Sequence, residues 1–279
     1  MPHAYTNGIA TFYEDSGDGQ AVVLIHGYSV DSRLWQHQTP ALVKAGFRVV
    51  SYDVRGHGRS MVPPVGYTWE NYSQDLAELL DRLNLESAVT QPLGEPAAHV
   101  VGLSMGGGIA LQFALDHPER VLSLTLVDSV LPGYQYGEEM SRPLEEMRAA
   151  VARDGLRAVF DGPWLDSPLF DGVRRRPAAF ELVRQMVHGY QAPDYQSDQA
   201  RPVGYQPPDI AARLGDIQAR TLVIVGEDDL ADFRLIAEML AGNIAEARLD
   251  VMERCGHIPP LEEPERLNEV LVEFLSVRC

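Results

Sequence analysis

Cysteine is scarce, with only Cys255 and Cys279 in 279 residues. Two cysteines do not make a disulfide framework, so both read as free thiols in a reducing cytoplasm. Basic residues are also few. Lys and Arg number 23 against 40 Asp and Glu, a formal charge of −17. A surface of that sign repels nucleic-acid phosphates and anionic lipid headgroups, which argues against both as partners. The excess reads as a solubility feature. Long apolar runs are missing too. The run at residues 22–25 is far too short to cross a bilayer. The N-terminal residues lack the basic-then-apolar pattern of a secretory signal. No repeat or low-complexity tract appears. No His, Cys or Asp cluster has metal-ligand spacing, so neither metal nor cofactor is expected.

What is present is a 45% hydrophobic chain with a βα rhythm. Continuous apolar runs at 21–25, 47–52, 99–103, 121–127, 221–226 and 247–252 predict strands buried on both faces, as in a parallel sheet. Between them the spacing predicts a helix over 35–45 ending at Gly46. It predicts another on the stripe Tyr72, Leu76, Leu79 and Leu83, one after Ser104, one at 235–240, and a last one on Leu267, Val270, Leu271, Phe274 and Leu275. Residues 86–98 read as a turn-rich surface connection. Residues 131–208 break the rhythm, with short helical stretches at 144–151 and 180–187 and no strong strand. The expected organisation is a core of residues 1–130 and 209–279 with residues 131–208 inserted as a helical cap. The arginines 174–176 read as a solvated face of that cap.

Ligands of parallel sheets bind beyond the carboxyl ends of the strands. His26, Asp53, Ser104, Asp128 and Asp229 all follow strands directly. Ser104 stands in Gly102-Leu103-Ser104-Met105-Gly106 between a strand and a small-residue helix. A strand that reverses into a helix within two residues strains the residue at the bend, and Gly102 and Gly106 leave room for the turn. A serine hydroxyl needs a base to become nucleophilic, and the base needs an orienting acid. His257 follows the last strand, and Asp229 follows the strand before it. The order Ser104, Asp229, His257 is that of an α/β-hydrolase.

Taken together, the chain resembles the α/β-hydrolase superfamily, in its cap-bearing group of serine esterases, enol-lactonases and perhydrolases. The resemblance rests on His26-Gly27, on Asp53-Val54-Arg55-Gly56-His57-Gly58-Arg59-Ser60, on Gly102-Leu103-Ser104-Met105-Gly106-Gly107, on Gly226-Glu227-Asp228-Asp229, and on Gly256-His257 with Leu261-Glu262-Glu263-Pro264. It implies Ser104 as nucleophile, His257 as base and Asp229 as acid, with Asp228 and Asp128 as alternative acids. It implies an oxyanion hole from the Tyr28 and Met105 N–H groups. His26 and Gly27 would order that loop, and Trp164, Tyr134, Tyr136 and Tyr190 would line a pocket. The 53–60 segment reads as a structural turn, with Arg55 and His57 as secondary candidates for ligand contact.

The implied activity is hydrolysis of a small or medium apolar carboxylic ester through an acyl-enzyme. Enol-lactonase or perhydrolase chemistry on the same triad is the alternative, and a non-catalytic ligand receptor is an alternative of another class. A serine nucleophile argues against dehalogenase and epoxide-hydrolase relatives, which use aspartate. Ile258 argues against carbon–carbon hydrolases, which carry an aromatic residue after the histidine. The expected partner is a small-molecule ester or lactone.

Overall fold

The computed structural model describes residues 2–84, 97–193 and 200–277. Most of the 86–98 connection, and Cys279, lie outside the described residues. The strands are β1 (His3–Thr6), β2 (Ile9–Ser16), β3 (Ala21–Ile25), β4 (Arg48–Tyr52), β5 (Ala98–Leu103), β6 (Val121–Val127), β7 (Thr221–Gly226) and β8 (Arg248–Met252). They form one sheet in the order β1-β2-β4-β3-β5-β6-β7-β8. β1 and β2 pair antiparallel, as do β2 and β4, and all other neighbours are parallel. This is the α/β-hydrolase fold that the motifs imply.

β3, β5 and β7 are buried at every residue, which is why they read as unbroken apolar runs. The helices on the two faces are α1 (Gln38–Lys44), α2 (Trp69–Arg82), α3 (Met105–Asp116), α8 (Ala231–Asn243), α9 (Pro259–Glu262) and α10 (Pro264–Leu275). Between β6 and β7 lie α4 (Glu138–Asp154), α5 (Leu156–Val159), α6 (Asp171–Arg174) and α7 (Pro177–Gly189). Among the described residues no helix is long and apolar enough to cross a membrane.

Two elements differ from the sequence reading. The helix expected over 35–45 is a 3-10 turn, Ser32–Trp35, followed by the shorter α1. Pro40 explains the late start, since proline fits the first turn of a helix and not its interior. Gly46, just past the end of α1, has φ +92°. The β1–β2 hairpin is additional. Its two-residue loop, Asn7-Gly8, has φ +41° and +80°, the geometry that Asn-Gly favours.

Candidate active site

The parallel register sets the site. Ile25 pairs with Gly102, Leu103 with Val127, Val127 with Ile224, and Gly226 with Met252. The strands therefore end in step. His26, Ser104, Asp128 and Asp229 leave them along one rim.

Ser104 has φ +51° and ψ −114°, a conformation that costs a non-glycine residue about 1–3 kcal/mol. The surroundings enforce it. The Ser104 N–H donates to the Val127 carbonyl at 2.9 Å, and its carbonyl accepts from Gly107, Gly108 and Val130 at 2.9–3.2 Å. A Cβ on Gly102 would strike the Gly106 carbonyl, and one on Gly106 would strike the Ile25 carbonyl. Met105 begins α3, so its N–H lies among the helix donors left without an intrahelical partner.

The Asp229 carboxylate accepts from His257 Nδ1 at 2.8 Å through one oxygen and from the Leu230 N–H at 2.7 Å through the other. That pairing directs His257 Nε2 away from the acid. The Phe233 ring of α8 packs 4.3 Å from the imidazole, centroid to centroid. Ser104, Asp229 and His257 are all buried, and Ser104 and His257 line one cavity. No hydrogen bond joins the Ser104 hydroxyl to His257, a contact that often tightens only when substrate is bound.

The alternative acids have other hydrogen-bond partners than His257. Asp228 is half exposed and pairs with Arg175 at 2.9 Å. Asp128 is buried and accepts from the Gly226 N–H at 2.9 Å. Burial and the adjacent Asp229 push its carboxyl well above the usual carboxylate range. Asp128, Asp229 and His257 form a cluster with one donor atom each within 4.8 Å of the others, which sequence spacing does not reveal. Asp229 and His257 are already hydrogen-bonded to each other, and Asp128 accepts from the Gly226 N–H.

His26 orders the turn before Tyr28. Its Nε2 accepts from the Val54 N–H at 2.9 Å, which leaves Nδ1 protonated to donate to the Gly27 carbonyl at 2.7 Å. Burial lowers its pKa and keeps it neutral. Gly27 lies directly against Ser104, since a Cβ there would sit 3.3 Å from the serine Cβ. The Asp53 carboxylate accepts from the N–H groups of Ser32 at 2.9 Å and Arg59 at 2.7 Å, which makes this segment a structural turn. Arg55 forms a buried pair with Asp75 of α2 at 2.5 Å. His57 stacks on Tyr190 at 4.5 Å. Neither Arg55 nor His57 reaches the cavity wall.

The cavity has a volume of about 540 Å³. Tyr134, Tyr136, Trp164 and Tyr190 line it together with Tyr67, Trp69 and Tyr205, the last three of which sequence reading does not find. Trp164 also donates from Nε1 to the Ser29 hydroxyl at 2.8 Å, beside Tyr28. The arginines 174–176 are not simply solvated. Arg174 holds Asp171 and the Leu165 carbonyl, Arg175 reaches Asp228, and Arg176 reaches Glu262 and Glu263. The sequence profile of the Alpha/beta hydrolase family matches residues 22–270.

The chain belongs to the α/β-hydrolase family. It is 31% identical over 269 residues to a protein of Variovorax paradoxus (strain S110) named putative carbamate hydrolase RutD, covering 95% of each chain. The enol-lactonase of Burkholderia xenovorans LB400 superposes with a TM-score of 0.81 at 27% identity, over 99% of this chain and 100% of that one. A thermophilic esterase of Thermogutta terrifontis superposes with a TM-score of 0.80 at 29% identity, over 98% and 97%. This α/β-hydrolase is accordingly an enzyme of hydrolytic type.

Proposed function

We propose that the protein hydrolyses a carboxylic ester of a small or medium apolar substrate, by way of an acyl-enzyme on Ser104. The observation that carries this reading is the 2.8 Å His257–Asp229 bond on the cavity that also holds the strained Ser104.

In this reading the Ser104 oxygen bonds to the acyl carbon as its proton passes to His257 Nε2. Asp229 holds the imidazole in the required tautomer and stabilises the imidazolium. The negative charge that develops on the carbonyl oxygen meets the N–H groups of Met105 and Tyr28. Each such donor is worth about 3 kcal/mol of transition-state stabilisation. The tetrahedral adduct collapses, the carbon–oxygen bond to the alcohol breaks, and the alcohol leaves with the proton from His257. Water then enters, its oxygen bonds to the acyl carbon as its proton passes to His257, and the bond to Ser104 Oγ breaks as His257 returns that proton to the serine, which frees the acid. Residues 131–208 act as a cap whose aromatic side chains close an apolar pocket over the serine.

The same steps open a lactone, with the leaving alcohol still tethered to the acyl group. The likeness to an enol-lactonase over nearly the whole of both chains supports lactones as the second substrate class. The test is a panel of p-nitrophenyl acyl esters of graded length together with lactones. Turnover of short or medium acyl esters is expected, and loss of that turnover in Ser104→Ala. Full activity in purified Ser104→Ala would defeat the mechanism. Absence of turnover across the panel would favour a ligand receptor on the same fold.

A further inference from the structure

Glu262 is a buried acid that the serine mechanism does not use. Its side chain is fully enclosed, and its two oxygens have different partners. One accepts from the Gly256 N–H at 2.8 Å. The other accepts from the Ile258 N–H at 2.9 Å. These are the residues on either side of His257, so a single carboxylate grips the main chain of the base from both sides.

The carboxylate is also where the cap meets the core. Gly172 of α6 packs so closely on it that a Cβ at that position would collide with the Glu262 carboxylate. Arg176, at the turn into α7, approaches it at 3.5 Å and pairs with Glu263. Nearby, Arg175 holds Asp228, next to Asp229. A buried carboxylate with two N–H bonds and a guanidinium beside it has satisfied partners and a fixed position.

We propose that Glu262 is the positioning residue for His257, and that through Gly172 and Arg176 it makes placement of the base depend on docking of the cap. This rests on the reading of His257 as the general base. Among the described residues, the charged and titratable groups of this region include Asp229 after β7, Asp128 after β6 and Glu262 on α9, with Arg176 of the cap beside Glu262 and Cys255 on the loop of the base. Burial raises the Glu262 carboxyl, while its two N–H bonds, Arg176 and His257 itself favour the carboxylate. Glu262→Gln therefore withdraws a negative charge that favours the imidazolium.

The test is steady-state kinetics with p-nitrophenyl acetate on purified wild type, Glu262→Gln, Gly172→Ala and His257→Ala, across roughly pH 5 to 9, with thermal melts to confirm folding. In Glu262→Gln, kcat is expected to fall about 10- to 100-fold with KM little changed, and the acid limb of the kcat/KM profile moves to lower pH. Gly172→Ala, which displaces the carboxylate without removing it, lowers kcat by a smaller factor. A folded Glu262→Gln with wild-type kcat and an unmoved acid limb overturns the assignment. If Glu262→Gln does not fold, Gly172→Ala decides, and an unchanged kcat there overturns it. Retained activity in His257→Ala would instead bring down the serine-hydrolase reading and this assignment with it.

Discussion

Asp229 and Asp228 are adjacent carboxylates, and geometry alone gives them different work. One oxygen of Asp229 is on His257 Nδ1 at 2.8 Å and the residue is buried. Asp228 faces solvent and holds Arg175. Asp229→Asn keeps the shape but favours the wrong imidazole tautomer, so kcat is expected to fall by up to ~10⁴-fold. Asp228→Asn removes an exposed ion pair worth roughly 0–1 kcal/mol and leaves kcat within a small factor of wild type. Parallel kcat measurements on the two variants check this, and the reverse ranking would assign the acid to Asp228. At this scale the sequence was informative where chain order and strand ends decide placement, as for Ser104, Asp229 and His257, which meet at one cavity. It was silent on Glu262, because nothing local shows that its carboxylate turns back onto the amides of Gly256 and Ile258. It placed Asp128 on the same rim as an alternative acid, but not in reach of Asp229, since the two meet only when β6 and β7 pair.

Among the elements, the parallel strands were legible because burial on both faces leaves a plain apolar run. The β1–β2 hairpin was not, because β2 mixes buried and exposed residues and ends in Glu14, Asp15 and Ser16. Its Asn7-Gly8 turn was the available signal. Several of these elements enclose a neutral histidine. His99 on β5 is buried, bonded to Ser123 at 2.7 Å, and pushed down to about 4 by burial and the Arg220 charge. His57, under Tyr190, is pushed down to about 3 by burial and by neighbouring His26. A depressed histidine pKa means that the unfolded chain binds more protons than the folded one at mildly acid pH. The stability each contributes is complete above about pH 6.5 and is lost as pH falls toward the folded value, at about 1.4 kcal/mol per unit. Raised acids such as Asp75 and Asp128 act in the opposite sense. They are not altered by His99→Gln, so that variant isolates one histidine. Urea unfolding from roughly pH 7 to 4 is expected to show a shallower loss of stability in His99→Gln than in wild type. Parallel slopes would show that His99 is not a buried neutral group.

For the molecule as a whole, the helical segment between β6 and β7 does more than close a pocket. Trp164 bonds Ser29 beside Tyr28, Arg175 bonds Asp228 beside Asp229, and Arg176 with Gly172 meets Glu262 beside His257. The segment thus touches the three loops that flank Ser104. This was the least legible part of the sequence, because its role depends on long-range partners and not on local period. Arginines 174–176 look like a solvated run until the core acids opposite them are in view. The central claim is that Ser104 is a nucleophile activated by His257. Mass spectrometry of the intact and digested protein after treatment with a serine-directed organophosphonate tests it most directly. One adduct per chain is expected, on the peptide containing Ser104, absent in Ser104→Ala and much slower to form in His257→Ala. An unlabelled Ser104 in a protein that still turns over esters would contradict it.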